Sequence, residues 1–208
     1  MTFFASMRRA LVIAATGGGL LLVGWIINWW RVGVRPSVGG VPFLHERLMS
    51  VAHFSQADGR WSGDALGGTA SSLGAEGCAV TCAAMVLRYH GFESDPGMLN
   101  RWLTLNGGYT AQGWIHWEKA AELTDGLLEH AYEAAPSYRW IDGEILRGNP
   151  VIVRVRRVGA VNTHFVVIVG KNGRRYVVAD PAERTLGRRY LDEIAPDIEA
   201  LRFYRRKR

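Results

Sequence analysis

The chain changes its period halfway along, and that change most narrows what it can fold into. Cys78-Ala79-Val80-Thr81-Cys82-Ala83-Ala84-Met85-Val86-Leu87 is an apolar run that reads as a buried helix, stopping at Tyr89-His90-Gly91 with Gly91 as its C-terminal cap. Shorter helices are expected near Pro96 to Leu105, Trp114 to Leu123 and Ile141 to Leu146. Beyond them, Val151 to Val158, His164 to Gly170 and Arg175 to Asp180 are β-branched runs separated by Gly and Asn, the pattern of an antiparallel sheet. A helical first half and a sheet second half make an α+β domain, with a site expected in the cleft between them.

The 208 residues leave room for one domain and an appendage. Ala10 to Trp30 carries no charge over 21 residues, enough as a helix to span the roughly 30 Å of a hydrocarbon core, and it reads as a single transmembrane anchor. Trp25, Trp29 and Trp30 cluster at one end of it, where indole rings favour the headgroup layer. A cleaved or merely buried segment is the alternative reading. Residues 1–9 form a short flank, 31–47 a Gly, Pro and Arg-containing spacer without apolar period, and 48–208 the folded domain. Arg8 and Arg9 on one side balance Arg31 and Arg35 on the other, so charge orients the anchor weakly. A short flank ahead of a large domain favours a cytoplasmic N-terminus, which places the domain outside in a bacterial host. Net charge is +6, part of it in Arg205-Arg206-Lys207-Arg208, a solvated tail or one that rests on an anionic membrane surface. No aromatic-basic interleaving points to nucleic acid.

Cys78 stands at the head of its helix, where unpaired N–H groups and the positive end of the dipole favour thiolate, the reactive form. Cys82, one turn further on the same face, reads as a small buried hydrophobe. Two cysteines this close on one helix are in poor geometry for a disulfide. A zinc site built from Cys78, Cys82, His90 and His164 matches no standard ligand spacing, and no metal or cofactor is expected.

A base is available if the last two strands form a hairpin. With Lys171-Asn172-Gly173 as a three-residue loop and Gly173 left-handed, Gly170 pairs with Arg174 and His164 falls opposite Asp180 on one face. Asp180 can then hold the imidazole in one tautomer. A two-residue Asn172-Gly173 turn is also open and puts the two on opposite faces. Singly, His164 reads as a satisfied core residue and Asp180-Pro181 as a strand terminator. Together with Cys78 they supply nucleophile, base and orienter.

Gln56-Ala57-Asp58-Gly59-Arg60-Trp61, Gly77-Cys78-Ala79-Val80-Thr81-Cys82-Ala83-Ala84-Met85, Gly148-Asn149-Pro150-Val151-Ile152-Val153, Thr163-His164-Phe165-Val166-Val167 and Asp180-Pro181 follow one another over about 130 residues. In that order they resemble the blocks of papain-like cysteine peptidases akin to bacteriocin-leader peptidases. The resemblance implies a papain-like fold, a catalytic triad of Cys78, His164 and Asp180, and Gln56 donating its side-chain amide to the oxyanion. The Cys78 backbone N–H is a natural second donor. Ala79-Val80 stand where such helices usually carry Gly-Pro, which touches subfamily more than activity.

The resulting expectation is a membrane-anchored thiol hydrolase, a peptidase acting on a peptide or protein substrate. An acyltransferase or amidase with the same triad and a catalytically silent peptide-binding module are the alternatives. Substrate choice is expected in the loops Gly67 to Gly77 and Asn106 to Gly113. Trp61, Trp114 and Trp117 are assigned to the core, with one of them a cleft candidate. His116 and His130 read as surface residues, Asp58 as a local hydrogen-bonding partner in the Gln56 loop, and Asn162 and Thr163 as rim. Neither oligomeric state nor substrate is readable from the chain.

Overall fold

The computed structural model describes residues 33–185 and 187–207. The anchor expected over residues 10–30 lies outside the described residues, and among those described no helix is long and apolar enough to cross a membrane. The elements run β1 (Arg35–Pro36), β2 (Val38–Leu48), α1 (Leu73–Glu76), α2 (Cys78–Tyr89), α3 (Pro96–Leu105), α4 (Trp117–Glu122), β3 (Leu128–Glu133), α5 (Tyr138–Arg147), β4 (Val151–Arg156), β5 (Thr163–Ala179), β6 (Arg189–Tyr190), a 3-10 turn (Leu191–Glu193) and β7 (Asp197–Arg206).

The helices begin and end where the chain supplies caps. Asp95 accepts the Met98 N–H ahead of Pro96 in the first turn of α3, and Ser137 accepts the Trp140 N–H at the head of α5. Gly148 closes α5 in the left-handed conformation at φ 78°. In α2 every residue from Val80 to Leu87 is buried, which marks it as the central helix. Full burial of each Leu- or Val-sized side chain is worth about 2 kcal/mol, so this helix anchors the helical half.

All strand pairings are antiparallel, in the order β1-β7-β4-β5-β2, with β3 on β7 and β6 on β5. Both faces of the sheet are covered. Helices α2 to α4 pack on one through Ile152, Val167, Ala179 and Tyr204. Ile141 and Ile145 of α5 pack on the other, against Val151, Val153, Val166 and Ile168. The α+β expectation with the Cys78 helix on an antiparallel sheet holds at this level.

Two assignments change. Residues 31–47 were expected to be a spacer, but Val38 to Leu48 form β2, an edge strand paired with β5 through Arg47↔Lys171 and Leu48↔Gly170. Nearly all of its side chains are exposed, so it carries no apolar alternation, and backbone hydrogen bonds hold it; Pro42 is tolerated at such an edge. Arg205 and Arg206 are not a free tail but the end of β7, where Arg205 Nη2 reaches Glu144 at 2.7 Å and Arg206 Nη2 donates to the His90 carbonyl at 2.8 Å.

The expected hairpin is a single run of extended backbone, β5, that folds back on itself. Its ends meet, with His164 Nε2 2.7 Å from Asp180 Oδ1, whereas 16 residues of straight strand would separate them by roughly 50 Å. Gly173 has φ 56°, the left-handed conformation the three-residue loop requires. Val166, Ile168, Tyr176 and Val178 share one core while Val167 and Ala179 share the other, the facing that a Gly170–Arg174 pairing demands. The two-residue turn is excluded because it would part His164 from Asp180.

Candidate active site

Cys78 is the first residue of α2, and Gly77 before it is the cap. A Cβ at position 77 would lie 2.3 Å from the Leu73 carbonyl oxygen, so only glycine lets the short α1 abut α2 and bring the cysteine to the helix head. No side chain caps α2, which leaves its N-terminal N–H groups to serve another acceptor. Cys78 is half-buried and Cys82 fully buried, and both are free thiols. Burial, reinforced by the neighbouring Cys78 and Asp180, pushes the Cys82 thiol well up, consistent with an inert core residue.

His164 is buried at the start of β5, and Asp180 is buried at 3% exposure just past its end. Asp180 Oδ1 takes the His164 Nε2 contact and also accepts the Ala182 N–H at 2.9 Å. Its Oδ2 accepts from Arg157 Nη2 at 2.8 Å. The same guanidinium nitrogen lies 3.0 Å from His164 Nε2. A guanidinium only donates, and the carboxylate is the better acceptor, so Nε2 keeps its proton for Asp180 and its approach to Arg157 is a close contact of two donors. Nδ1 is thereby the nitrogen left for Cys78, which together with Asp180 favours the charged form of the ring.

The charges follow from these contacts. Burial is the largest influence on His164 and pulls its pKa down, but hydrogen bonds to Asp180 and Cys78, with their charges, outweigh it and leave it raised. Burial likewise pushes Asp180 up, yet the His164 hydrogen bond and charge, the Ala182 N–H and Arg157 hold it below the usual carboxylate range. The arrangement is a carboxylate, an imidazole biased toward its charged form, and a cysteine at the helix head whose charge acts on that imidazole.

Gln56 joins this cluster through backbone and side chain. Its N–H donates to the Pro181 carbonyl at 2.8 Å, tying it to the segment after Asp180, and its Nε2 donates to Gly74 O at 3.0 Å, just ahead of α2. One amide N–H remains free, while its Oε1 is buried without a partner. Asp58 binds locally, to Arg60 Nη2 at 2.7 Å, and Arg60 holds its carboxyl down to about 2. A cavity of about 90 Å³ beside Asp180 is lined by His53, Glu183 and Arg189 among others. Among the described residues no three His, Cys, Asp or Glu side chains are grouped to hold a metal ion.

Several residues sit elsewhere than expected. His130 is not on the surface: it lies in β3 with its side chain 4% exposed, stacked 6.1 Å from the Trp117 ring. His116 is exposed at the head of α4. Trp61 and Trp117 are core, whereas Trp114 is 70% exposed. Asn162 and Thr163 are exposed at the edge next to His164. Arg157 was missed. The second of two consecutive arginines, Arg156 and Arg157, near the end of the run Val151 to Val158 looks like any solvated strand end, and only the fold-back of β5 brings Asp180 to it.

The model of the Peptidase_C39 like family matches residues 48–206, most of the chain. The chain belongs to the Peptidase_C39 like family, which places it among the cysteine peptidases. A C39-like peptidase from Bacillus anthracis superimposes with a TM-score of 0.53 at 14% identity, covering 79% of this chain and 100% of that one, a likeness of fold. The peptidase domain of Streptococcus ComA, a bi-functional ABC transporter of a quorum-sensing pathway, gives a TM-score of 0.46 at 20% identity over 62% of this chain and 91% of that one. No curated protein matches the chain.

Proposed function

We propose that the protein hydrolyses peptide bonds with Cys78 as nucleophile, His164 as base and then acid, Asp180 as orienter, and Gln56 with the Cys78 N–H as oxyanion donors. The observation that carries this reading is the buried imidazole of His164, held at 2.7 Å by Asp180, with Cys78 at the head of α2 among the groups that raise its pKa. Cys78 passes its proton to Nδ1, and its sulfur attacks the substrate carbonyl. The oxyanion that forms meets the uncapped N-terminus of α2 and the free N–H of Gln56. The imidazolium returns the proton to the leaving amine, giving a thioester that water, deprotonated by His164, resolves to acid and free thiol.

The test is a comparison of the wild type with Cys78→Ala on a peptide substrate found by trapping on Cys78→Ser. The variant is expected to lose at least about a thousandfold in kcat/KM, because members of such a set act as one unit. Retained cleavage by Cys78→Ala overturns the assignment. Mass analysis of the products separates hydrolysis from acyl transfer to an amine, which the same side chains would serve.

The charge-free run from Ala10 to Trp30 supports tethering of this domain to a membrane, with the catalytic part on the extracytoplasmic side. A reporter fused to the C-terminus and active only outside the cytoplasm is the expected result, and a cytoplasm-active fusion reverses the orientation.

A further inference from the structure

Arg157 opens the connection between β4 and β5, where the Ala160 N–H turns back onto its carbonyl at 3.1 Å. Its side chain is about one-third exposed, and its Nη2 meets both members of the histidine–aspartate pair, Asp180 Oδ2 at 2.8 Å and His164 Nε2 at 3.0 Å. A strand-end arginine with only a solvation role would not reach past the imidazole to a carboxylate that is 2% exposed.

We propose that Arg157 is a positioning residue of this site: it anchors the second oxygen of Asp180 and sets a fixed positive charge against the imidazole, restraining the charge His164 takes on with the Cys78 proton. The inference rests on the peptidase reading above. His164 has to give up that proton to the leaving group as well as accept it, and a base paired with a buried carboxylate alone would hold it too firmly to be an effective acid. Arg157 offsets part of that pull. It also fills Oδ2, so that Oδ1 has only His164 and the Ala182 N–H to serve.

The charged and titratable groups facing the pair are few. From α2, Cys78 acts on His164 and the buried Cys82 on Asp180, and Arg157 meets both partners from the β4–β5 connection. Past Asp180, His53, Glu183 and Arg189 line the adjoining cavity, where Arg189 Nη1 pairs with Glu183 Oε1 at 2.8 Å. Glu183 is thus already neutralised. Among the described residues, Arg157 is the guanidinium hydrogen-bonded to Asp180 and next to His164.

Two substitutions separate charge from clamp. Arg157→Gln keeps an N–H donor and loses the charge, and Arg157→Lys keeps the charge. The readout is the titration midpoint of the His164 ring by imidazole NMR of the full chain in a Cys78→Ala background, which needs neither substrate nor activity. Arg157→Gln is expected to raise the midpoint by about half a pH unit, the scale of one partly screened neighbouring charge, with Arg157→Lys close to the parent. A midpoint for Arg157→Gln that is unchanged or lower overturns the proposal. In the enzyme with Cys78 intact, the same variant moves the alkaline limb of kcat/KM upward by a similar amount. If no variant cleaves any peptide, the peptidase reading fails while the NMR result stands by itself.

Discussion

His164 is the residue on which the site's pH behaviour turns, because its Nε2 faces groups of opposite charge, Asp180 at 2.7 Å and Arg157 at 3.0 Å. Burial is the largest single influence and opposes the imidazolium, while Asp180 and Cys78 favour it and leave the pKa raised; the charge of Arg157, as proposed above, works against them. Asp180→Asn removes the strongest favourable contact. The raised histidine pKa then falls, so the alkaline limb of the kcat/KM profile, where His164 loses its proton, moves to lower pH. Activity at neutral pH is expected to drop by roughly two to four orders of magnitude, since the amide also allows the wrong tautomer. A profile of kcat/KM between pH 5 and 9 checks both, and an unmoved alkaline limb would show that Asp180 does not set this equilibrium. At this scale much was legible: Cys78, His164, Asp180 and Gln56 were all named from the sequence as candidates, and the structure pairs His164 with Asp180 at 2.7 Å. Arg157 was not, because its partner lies 23 residues away along a strand that first has to turn.

Among the elements, α2 shows how narrowly the nucleophile is placed. Gly77 permits a direct step from α1 into α2, with the Leu73 carbonyl 2.3 Å from where a Cβ would stand. That neighbour is backbone and cannot rotate away. Gly77→Ala should therefore shift the helix head and cost about 1–3 kcal/mol, with a loss of activity well beyond what that instability explains, because a 1 Å misplacement costs about a hundredfold. Chemical unfolding followed by tryptophan fluorescence gives the first number and kcat the second; an active, fully stable variant would show that the α1–α2 junction is slack. The helices Cys78–Tyr89 and Pro96–Leu105 were read to the residue and two others to within about three, since burial of one face leaves a period in the sequence, while the four-residue α1 is too short to show one. β1, β2, β3, β6 and β7 were not read, and the two longest of them show why. β2 exposes almost every side chain and so has no period to show. β7 carries Arg202 on a core face, where Trp117 and Tyr132 each lie 4.7 Å from its guanidinium carbon, so a charged residue there reads as loop although it stacks between rings.

Across the whole described domain, the sheet is held to α5 by a buried polar cluster rather than by apolar packing alone. Lys171 in β5 is fully buried with Nζ 2.6 Å from Asp142 Oδ1, and Tyr176 donates to the same oxygen at 2.9 Å. The other oxygen of Asp142 accepts the Val41 N–H of β2 at 2.8 Å. One carboxylate from α5 thus joins the edge strand and the fold-back of β5, whose two arms carry His164 and lead to Asp180. Burial pulls the Lys171 pKa down and Asp142 pulls it back, leaving it lowered but paired. Replacing one partner strands the other's charge in the interior. Lys171→Met is expected to cost about 3–5 kcal/mol, and Lys171→Met with Asp142→Leu considerably less than the two single costs together, because the pair offsets its own desolvation. Urea unfolding of the two single variants and the double variant measures the coupling. Because the cluster braces the strand on which His164 stands, the single variant should also lose activity at temperatures where it remains folded, through a loosened His164–Asp180 contact. Additive stabilities, with wild-type kcat in the single variant, would mean that β5 is held by its hydrogen-bonded neighbours alone and that the cluster does not reach the site.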